Sequence, residues 1–227
     1  MQNVLDKFNM KGRTVLVTGG GGLLGRQFAL ALAQAGADVM LADLAYEAAA
    51  DQAEVIRAEG LSAAALAVDV VDPESTREMV QQTLARFGRL DVLINSAALD
   101  PKFDPQHQSE QAANAFETYS LEAWRKALDV NLTGMFLASQ AAVQPMLAQS
   151  QGVIINICST YGLNGPDQRI YSRPDSTQSY KPVYYSVTKA GVLGFTRYLA
   201  AYYAGKNVRV NALTPGGVYN QHDEVFV

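Results

Sequence analysis

The chain has 227 residues, of which 48% are hydrophobic and 18% charged, and this composition is typical of a soluble globular protein with a substantial core. The net charge of -4 gives no reason to expect a nucleic-acid partner, and no apolar run of about 18 residues predicts a membrane span. One cysteine, Cys158, cannot form an internal disulfide, and with two histidines in the chain we expect no metal site.

Strand and helix signals alternate along the chain, which predicts an α/β fold with a doubly wound parallel sheet between two helical layers. The predicted strands are 14–18, 38–42, 63–68, 90–94, 152–157 and 208–213. The predicted helices are 23–35, 46–59, one that begins at Pro73, 121–147 and 184–204. The polar segments 99–119 and 163–182 read as long loops, and we interpret 1–227 as one domain.

A glycine-rich turn joins the first predicted strand to the first predicted helix. It contains Gly19, Gly22 and Gly25, with Leu24 at the start of the helix. A turn without side chains lets the backbone approach a pyrophosphate, which then lies at the helix N-terminus. A glycine turn is a modest signal by itself, since a tight turn without a ligand needs the same residues.

Polar and small residues follow the next three predicted strands at the same edge of the sheet. Asp43 ends the second strand, where an acid can accept hydrogen bonds from both ribose hydroxyls of NAD and would repel the extra phosphate of NADP. Asp69 and Val70 end the third strand and could bind the adenine, although Asp69 could instead cap the next helix. Asn95 and Ala97 follow the fourth strand, where a dinucleotide could pass close to the backbone. We therefore predict NAD as the cofactor.

A tyrosine and a lysine stand four residues apart near the start of the last predicted helix. Tyr185 and Lys189 would share one helix face. A phenol has an ordinary pKa of about 10, and a neighbouring ammonium lowers it, so the pair is a plausible proton-transfer device. Tyr184 competes with its neighbour, but only Tyr185 stands four residues before Lys189, and we interpret Tyr184 as a packing or pocket residue.

Taken together and in order, these segments resemble the short-chain dehydrogenase/reductase family, in its single-domain branch. The segments that carry the resemblance are 18–25, 69–70, 95–98, 129–134, 156–159, 185–189 and 209–216, which span almost the whole chain. The resemblance implies a three-layer Rossmann fold and an NAD-dependent oxidoreductase that transfers a hydride between nicotinamide and a hydroxyl or carbonyl carbon. It also implies a homodimer or homotetramer acting on a small polar molecule, and the single cysteine favours a reducing, cytoplasmic location.

The resemblance further implies a catalytic tetrad. In it Ser159 would hydrogen-bond the substrate oxygen, Tyr185 would transfer the proton, and Lys189 would lower the pKa of Tyr185 and could hold the nicotinamide ribose. Asn131, in the long helix, could hold a water that passes protons to Lys189. By the same resemblance, the segment with Pro215, Gly216 and Val218 would hydrogen-bond the nicotinamide carboxamide.

The two long loops are the candidate substrate-binding segments. Lys102 lies in 99–119, and Arg169 and Tyr171 lie in 163–182. An arginine suits an anion and a tyrosine ring suits a sugar face, so a sugar or phosphosugar substrate is predicted. The second loop is similar to those of bacterial oxidoreductases in surface-glycan and flagellin-modification pathways, while a solvated insertion without a substrate role is the simpler alternative.

Two departures from the family pattern keep other functions open. Leu23 replaces a usual glycine, and the resulting glycine spacing is typical of the extended branch, which predicts as an alternative an epimerase or dehydratase with tightly bound NAD on a nucleotide sugar. The sequence also ends at Val227, before the final strand and the substrate-covering segment of most members. We expect either a truncated sequence or a shortened natural form, and a non-catalytic NAD-binding subunit is the third hypothesis.

Overall fold

The computed structural model describes residues 4–100, 114–171 and 178–220. Within these ranges six strands form one sheet in the order β3-β2-β1-β4-β5-β6, and all the pairs are parallel. The strands are β1 (Thr14–Thr18), β2 (Asp38–Asp43), β3 (Ala63–Ala67), β4 (Val92–Asn95), β5 (Gly152–Ile157) and β6 (Val208–Leu213). The chain therefore winds outward from β1 to one edge, returns to β4 beside β1, and winds to the other edge. The carboxyl ends of β1 and β4 form the crevice where α/β sheets bind ligands.

Helices cover both faces of this sheet. They are α1 (Leu23–Gln34), α2 (Tyr46–Ala58), α3 (Pro73–Phe87), α4 (Leu121–Leu128), α5 (Gly134–Ala148) and α6 (Val183–Tyr202). Short 3-10 turns lie at Val4–Phe8, Phe116–Thr118, Thr160–Gly162 and Gln168–Tyr171. The prediction of a doubly wound α/β fold is confirmed, with strand and helix ends within about two residues of the predicted ones in most cases.

The prediction of one continuous α-helix over 121–147 is wrong in the middle of that range. The segment Asp129–Thr133 between α4 and α5 is a turn of π-helix, which adds one residue to the turn. This turn holds Asn131 with its side chain buried, where the amide bonds the backbone of Leu99 and the hydroxyl of Thr188. The apolar periodicity of the helix continues on both sides of the turn, so the sequence pattern does not reveal it.

Successive strand residues point into two separate cores, because side chains alternate across a sheet. Val15, Val17 and Val39 pack beneath α1 and α2, whereas Leu16 and Leu93 pack beneath α3, α5 and α6. Burial on both faces explains why the central strands read as nearly continuous apolar runs. The two cores fix the sheet, and with it the loops at the carboxyl ends of the strands.

A buried carboxylate links two strands at the opposite end of the sheet from the crevice. Asp91 accepts hydrogen bonds from the Thr14 amide at 2.9 Å, from Arg13 Nη1 at 2.9 Å and from Arg89 Nε and Nη2 at 2.6 and 2.7 Å. Burial acts to raise the pKa of Asp91, but the hydrogen bonds from Arg89, Thr14 and Arg13 outweigh it and hold the pKa below its ordinary value. This cluster ties the start of β1 to the start of β4.

Candidate active site

The glycine turn is closed by contacts that leave no room for side chains. Gly19 has φ +68°, and a Cβ atom there would lie 2.8 Å from Ala97 Cα. A Cβ at Gly25 would lie 2.0 Å from the Gly19 carbonyl oxygen. The turn is therefore packed against both the end of β4 and the first turn of α1, and glycine is required at these two positions.

The N-terminus of α1 suits an anion. No side chain in the described ranges caps the helix at Gly22, and its first turn has no acidic residue. By contrast, Asp72 caps α3 and Ser120 caps α4 through hydrogen bonds to backbone amides. The first amides of α1 thus remain available to phosphate oxygens, which fits a pyrophosphate. The Leu24 side chain packs into the core under α1, so a contact from this position would come from its backbone.

Asp43 holds the glycine turn as well as facing the crevice. Its Oδ2 accepts a hydrogen bond from the Gly21 amide and its Oδ1 accepts one from the Ala45 amide, both at 3.0 Å. Each carboxylate oxygen keeps a further lone pair, so the group can still accept a ribose hydroxyl. The next residue, Leu44, is exposed and offers no positive charge to a second phosphate.

A threonine without a predicted role joins the two strands that border the crevice. The Thr18 hydroxyl accepts hydrogen bonds from the amides of Ser96 and Ala97 at 3.2 and 3.3 Å, and it donates to the Ile94 carbonyl at 3.4 Å. It thereby fixes the small residues after β4 against the glycine turn. The sequence feature that could have indicated this role is a threonine at the end of a buried strand, directly before the first glycine of the turn.

The predicted adenine-binding residues lie at the end of β3. The Asp69 carboxylate accepts a hydrogen bond from the Val71 amide at 3.0 Å, and Ser75 accepts one from the Asp69 amide at 3.0 Å. Val70 is buried against α5, where a Cβ at Gly134 would lie 2.7 Å from Val70 Cγ2. Its side chain therefore packs first against the protein.

Asn95 cross-links the sheet to a helix. Its Nδ2 donates to Ser139 Oγ of α5 and to Asn156 Oδ1 of β5, both at 2.9 Å. Its buried Oδ1 has no partner within the described residues. Asn156 continues this chain of hydrogen bonds to Thr196 of α6 at 2.9 Å. Asn95 thus fixes the strand that carries the crevice, and Ala97 forms the crevice wall beside it.

Tyr185 lies in an apolar cluster near the ends of β4 and β5. It is 9% exposed, and the Tyr161 ring meets it edge-on with the two centroids 6.3 Å apart. Lys189 Nζ lies 5.7 Å from the Tyr185 ring centroid and donates to the Ile157 carbonyl at 2.8 Å. Ser159 is buried, and its hydroxyl accepts the Tyr161 amide at 3.2 Å. The structure brings the predicted serine, tyrosine and lysine together.

The electrostatics of Tyr185 differ from the expectation. Burial, with the charge of Asp100, raises its pKa to about 12, although a hydrogen bond with Ser159 acts to lower it. Burial also lowers the pKa of Lys189. The expected depression of the Tyr185 pKa is not observed, because burial away from water disfavours the phenolate.

Asn131 connects the π turn to two other elements. Its Oδ1 accepts the Leu99 amide at 2.7 Å, and its Nδ2 donates to the Leu99 carbonyl at 3.1 Å and to Thr188 Oγ1 at 3.2 Å. Both amide hydrogens are used by the protein, which leaves one acceptor lone pair for a water. Asn131 therefore fixes the segment after β4 against the helix that carries Tyr185.

The segment after β6 passes beside Ser159. The Pro215 carbonyl accepts the Thr160 amide at 3.0 Å, which extends the pairing of β5 with β6 beyond their ends. Gly216 and Val218 are exposed next to it. The backbone at Pro215 is therefore held next to Ser159. The three residues predicted to contact the nicotinamide lie at this point or directly after it.

The predicted substrate residues are placed differently from one another. Arg169 is 90% exposed and pairs with Asp167 at 2.6 Å, which lowers the pKa of Asp167 to about 2. Tyr171 is buried and donates a hydrogen bond to the Tyr161 hydroxyl at 3.1 Å, and burial raises its pKa. Lys102 lies outside the described residues. Tyr171 therefore contacts the aromatic cluster around Tyr185, whereas Arg169 lies at the surface.

A second lysine lies against the Tyr185 ring. Lys181 Nζ lies 4.0 Å from the Tyr185 ring centroid and 2.5 Å from Asp100 Oδ1. Neither Lys181 nor Asp100 was assigned a role from the sequence. The only signal was that Lys181 precedes Tyr185 by four residues, as Lys189 follows it.

Two other kinds of feature are absent from the described ranges. No helix within them is long and apolar enough to cross a bilayer. They also contain no group of three or more His, Cys, Asp or Glu side chains positioned to hold a metal ion.

Similar proteins were found by sequence. A family model described as short chain dehydrogenase matches residues 13–225. An uncharacterized oxidoreductase of Thermotoga maritima is 36% identical over 208 residues, covering 92% of this chain and 72% of that protein. The cis-4-hydroxycyclohexanecarboxylate dehydrogenase of Sinomonas cyclohexanicum is 34% identical over 204 residues, covering 90% and 72%.

Solved structures are similar in fold and sequence. NAD⁺-bound xylitol dehydrogenase matches with a TM-score of 0.77 and 29% identity, covering 91% of this chain and 71% of that one. An oxidoreductase from Haemophilus influenza, assigned provisionally to D-mannonate and solved with bound NAD, matches with a TM-score of 0.80 and 28% identity, covering 96% and 76%.

Proposed function

The chain belongs to the short-chain dehydrogenase family and is an oxidoreductase acting on CH–OH groups with a nicotinamide cofactor, and on that premise we propose that it transfers a hydride between NAD and the hydroxyl or carbonyl carbon of a small polar substrate. The observation that carries the proposal is the position of Ser159, Tyr185 and Lys189 beside the crevice that begins at the glycine turn. When bound, the nicotinamide supplies or accepts the hydride.

Three parts of the crevice would hold the cofactor. The glycine turn and the uncapped N-terminus of α1 would bind the pyrophosphate, since backbone amides there can donate to phosphate oxygens. Asp43 would accept the adenosine ribose hydroxyls and disfavour a phosphate on that ribose, which supports NAD over NADP. Asp69 and Val70 would lie beside the adenine. Pro215, Gly216 and Val218 would contact the nicotinamide.

Tyr185 would exchange the proton with the substrate oxygen. In the reductive direction its neutral phenol donates a proton to the oxygen of the carbonyl, and in the oxidative direction its phenolate removes the proton of the alcohol. The raised pKa of Tyr185 keeps the phenol protonated at neutral pH, which favours the reductive role. Ser159 would donate a hydrogen bond to the same oxygen and stabilise the charge that develops there.

Lys189 and Asn131 would act through their positions beside the tyrosine. Lys189 is anchored to the Ile157 carbonyl and is within reach of the Tyr185 ring, so its charge favours the phenolate when the proton leaves. Asn131 would fix Leu99 and Thr188, and with them the wall of the site and the helix that carries Tyr185.

The substrate class proposed is a polar alcohol of the polyol, sugar or hydroxy-acid type. The similar proteins include one named for xylitol, one assigned provisionally to D-mannonate and one named for a hydroxycyclohexanecarboxylate. The hydroxyl groups of Tyr161 and Tyr171 are hydrogen-bonded to each other close to Tyr185, so this part of the wall carries polar groups that suit such a molecule.

We further propose a cytoplasmic homo-oligomer. Apolar side chains on the outer faces of α4, α5 and α6 are exposed, namely Leu121, Phe136, Val187, Tyr198 and Tyr202. Such a patch is typical of a surface that pairs with a second copy. A molar mass of one chain in solution, measured by light scattering across the micromolar range, would contradict this proposal.

The test of the function is a hydroxyl deletion on Tyr185. In Tyr185→Phe we expect turnover of any accepted polyol or hydroxy acid to fall by about 100-fold or more, while NAD still raises the unfolding midpoint. Tyr198→Phe removes the same hydroxyl from an exposed ring on the same helix, keeps the apolar ring of the proposed subunit contact, and should keep full activity. Full activity of Tyr185→Phe would remove the assigned acid and base. Turnover without net NADH formation would instead favour the epimerase alternative.

A further inference from the structure

Lys181 and Asp100 form an ion pair directly against the candidate catalytic tyrosine. We propose that Lys181 binds a carboxylate of the substrate, and that the Asp100 side chain occupies this ammonium until the substrate replaces it. The inference rests on the proposed function, because it concerns the substrate of the same site. It narrows the substrate to an alcohol, or the corresponding carbonyl compound, that carries a carboxylate near its reacting carbon.

The backbone of Lys181 is held from both sides by one side chain. Gln168 Oε1 accepts the Lys181 amide at 2.9 Å, and Gln168 Nε2 donates to the Lys181 carbonyl at 3.2 Å. Gln178 Nε2 in turn donates to the Gln168 carbonyl at 3.2 Å. The helix α6 then begins two residues later, so Lys181 is fixed relative to Tyr185. A cation held in this way is preorganised for binding.

The ammonium faces the site and its present partner faces the solvent. The Lys181 side chain is 14% exposed and its Nζ lies 4.0 Å from the Tyr185 ring centroid. The Asp100 side chain is 51% exposed and borders an open pocket that Asn114 and Lys126 also line. An anion can therefore reach the ion pair from the side where Asp100 lies.

The charged groups around Tyr185 carry an excess of positive charge, which favours an anion. Two cations, Lys181 and Lys189, lie 4.0 and 5.7 Å from the centroid of the ring. Asp100 is the one carboxylate among the described residues whose charge acts on Tyr185, on Lys189 and on Tyr171. A substrate carboxylate that replaces Asp100 would therefore still have both cations close to it.

Replacement of Asp100 costs little, because an ion pair with a half-exposed partner contributes weakly to stability. The released carboxylate can turn into water, where it is already half exposed. The incoming carboxylate gains a charge-assisted hydrogen bond from a less exposed ammonium. Asp100 itself demonstrates that one carboxylate oxygen fits 2.5 Å from Lys181 Nζ.

The experiment compares matched substrates in three variants of the full chain. Hexonates, the corresponding hexitols and hexitol phosphates are each tested with NAD for NADH formation and for a shift of the unfolding midpoint. The variants are Lys181→Gln, Asp100→Asn and, as a control, Lys206→Gln, which removes a lysine that lies 4.7 Å from the Tyr202 ring on the far part of the molecule.

We expect the wild type to prefer the hexonate. Lys181→Gln should raise KM for the hexonate by about 10- to 100-fold with a much smaller change for the hexitol, since a charge-assisted hydrogen bond is lost. Asp100→Asn should lower KM for the hexonate, because it removes the competing carboxylate. The two variants thus change KM in opposite directions, whereas a merely structural ion pair would make both variants worse.

Several results would overturn the inference. They are an equal preference for hexitol and hexonate in the wild type, a change of KM in the same direction in both variants, a Lys181-dependent preference for the phosphate, or a panel in which no acid reacts or shifts the midpoint. Turnover of hexitols without any effect of Lys181→Gln would leave the proposed function intact. Retained activity in Tyr185→Phe would instead refute the proposed function, whatever the effect of Lys181→Gln.

Discussion

Asp43→Asn tests how the crevice selects its cofactor. The substitution keeps the size of the side chain and removes its charge. The carboxylate accepts the Gly21 and Ala45 amides at 3.0 Å each, and an asparagine can keep only one of these bonds through its single oxygen. Ala45 is exposed, so its amide can turn to water, whereas Gly21 is half-buried. We therefore expect the oxygen to stay with Gly21 and the unfolding free energy to fall by about 1–2 kcal/mol.

The same variant should change the choice of cofactor. Loss of the charged acceptor weakens the binding of NAD, and loss of the negative charge removes the repulsion of the additional phosphate of NADP. Together these changes should move the affinity ratio toward NADP by about 2 kcal/mol, which is roughly 30-fold.

The assay is the unfolding midpoint with increasing NAD or NADP, because a ligand that binds the native state raises the midpoint by an amount set by its affinity. Asp51→Asn, on the exposed face of α2, is the control for charge. An unchanged ratio of NAD to NADP affinity in Asp43→Asn, or equal affinity of the wild type for both, would contradict the role of Asp43 in cofactor choice.

Three further predictions concern the turn, the sheet and the proton. Gly25→Ala would place a Cβ 2.0 Å from the Gly19 carbonyl oxygen, so we expect the unfolding free energy to fall by about 2–3 kcal/mol and NAD binding to weaken. The control is Gly194→Ala, where a Cβ would meet open space. Calorimetry should find this control neutral or slightly stabilising. Asp91→Asn should destabilise the protein by about 3 kcal/mol at neutral pH. Because the folded pKa of Asp91 is lowered, its contribution is present above the unfolded value of about 3.9 and is lost as the pH falls through the folded pKa, so the two midpoints should converge in acid; a constant difference would contradict this. Since the pKa of Tyr185 is about 12, kcat/KM for oxidation should still rise between about pH 7 and about pH 9, and a plateau there would contradict the assignment.

The sheet was predictable because its strands are short apolar runs bounded by glycine, proline and polar residues. The strands Gly152–Ile157 and Val208–Leu213 have their predicted ends, and the order of elements implied the doubly wound topology. The π turn at Asp129–Thr133 was not predictable, because one additional residue per turn leaves the apolar pattern on each side intact.

The site was predictable where the chemistry needs a residue type at a fixed spacing. Tyr185 and Lys189 were found from the spacing of one helical turn, and the structure brings Ser159 to them. Lys181 was missed because a proline separates it from the helix, and Asp100 because its partner is distant in sequence. The sign of the Tyr185 pKa shift could not be predicted, since burial depends on packing between elements.

The most direct test of the proposed hydride-transfer chemistry is the rate of NADH formation by wild type and Tyr185→Phe with the same polar alcohol at saturating NAD. We expect the variant to lose about 100-fold or more of the rate and to keep its affinity for NAD, because the proton acceptor is removed and the crevice is unchanged. A variant that forms NADH at the wild-type rate would contradict the central role of Tyr185.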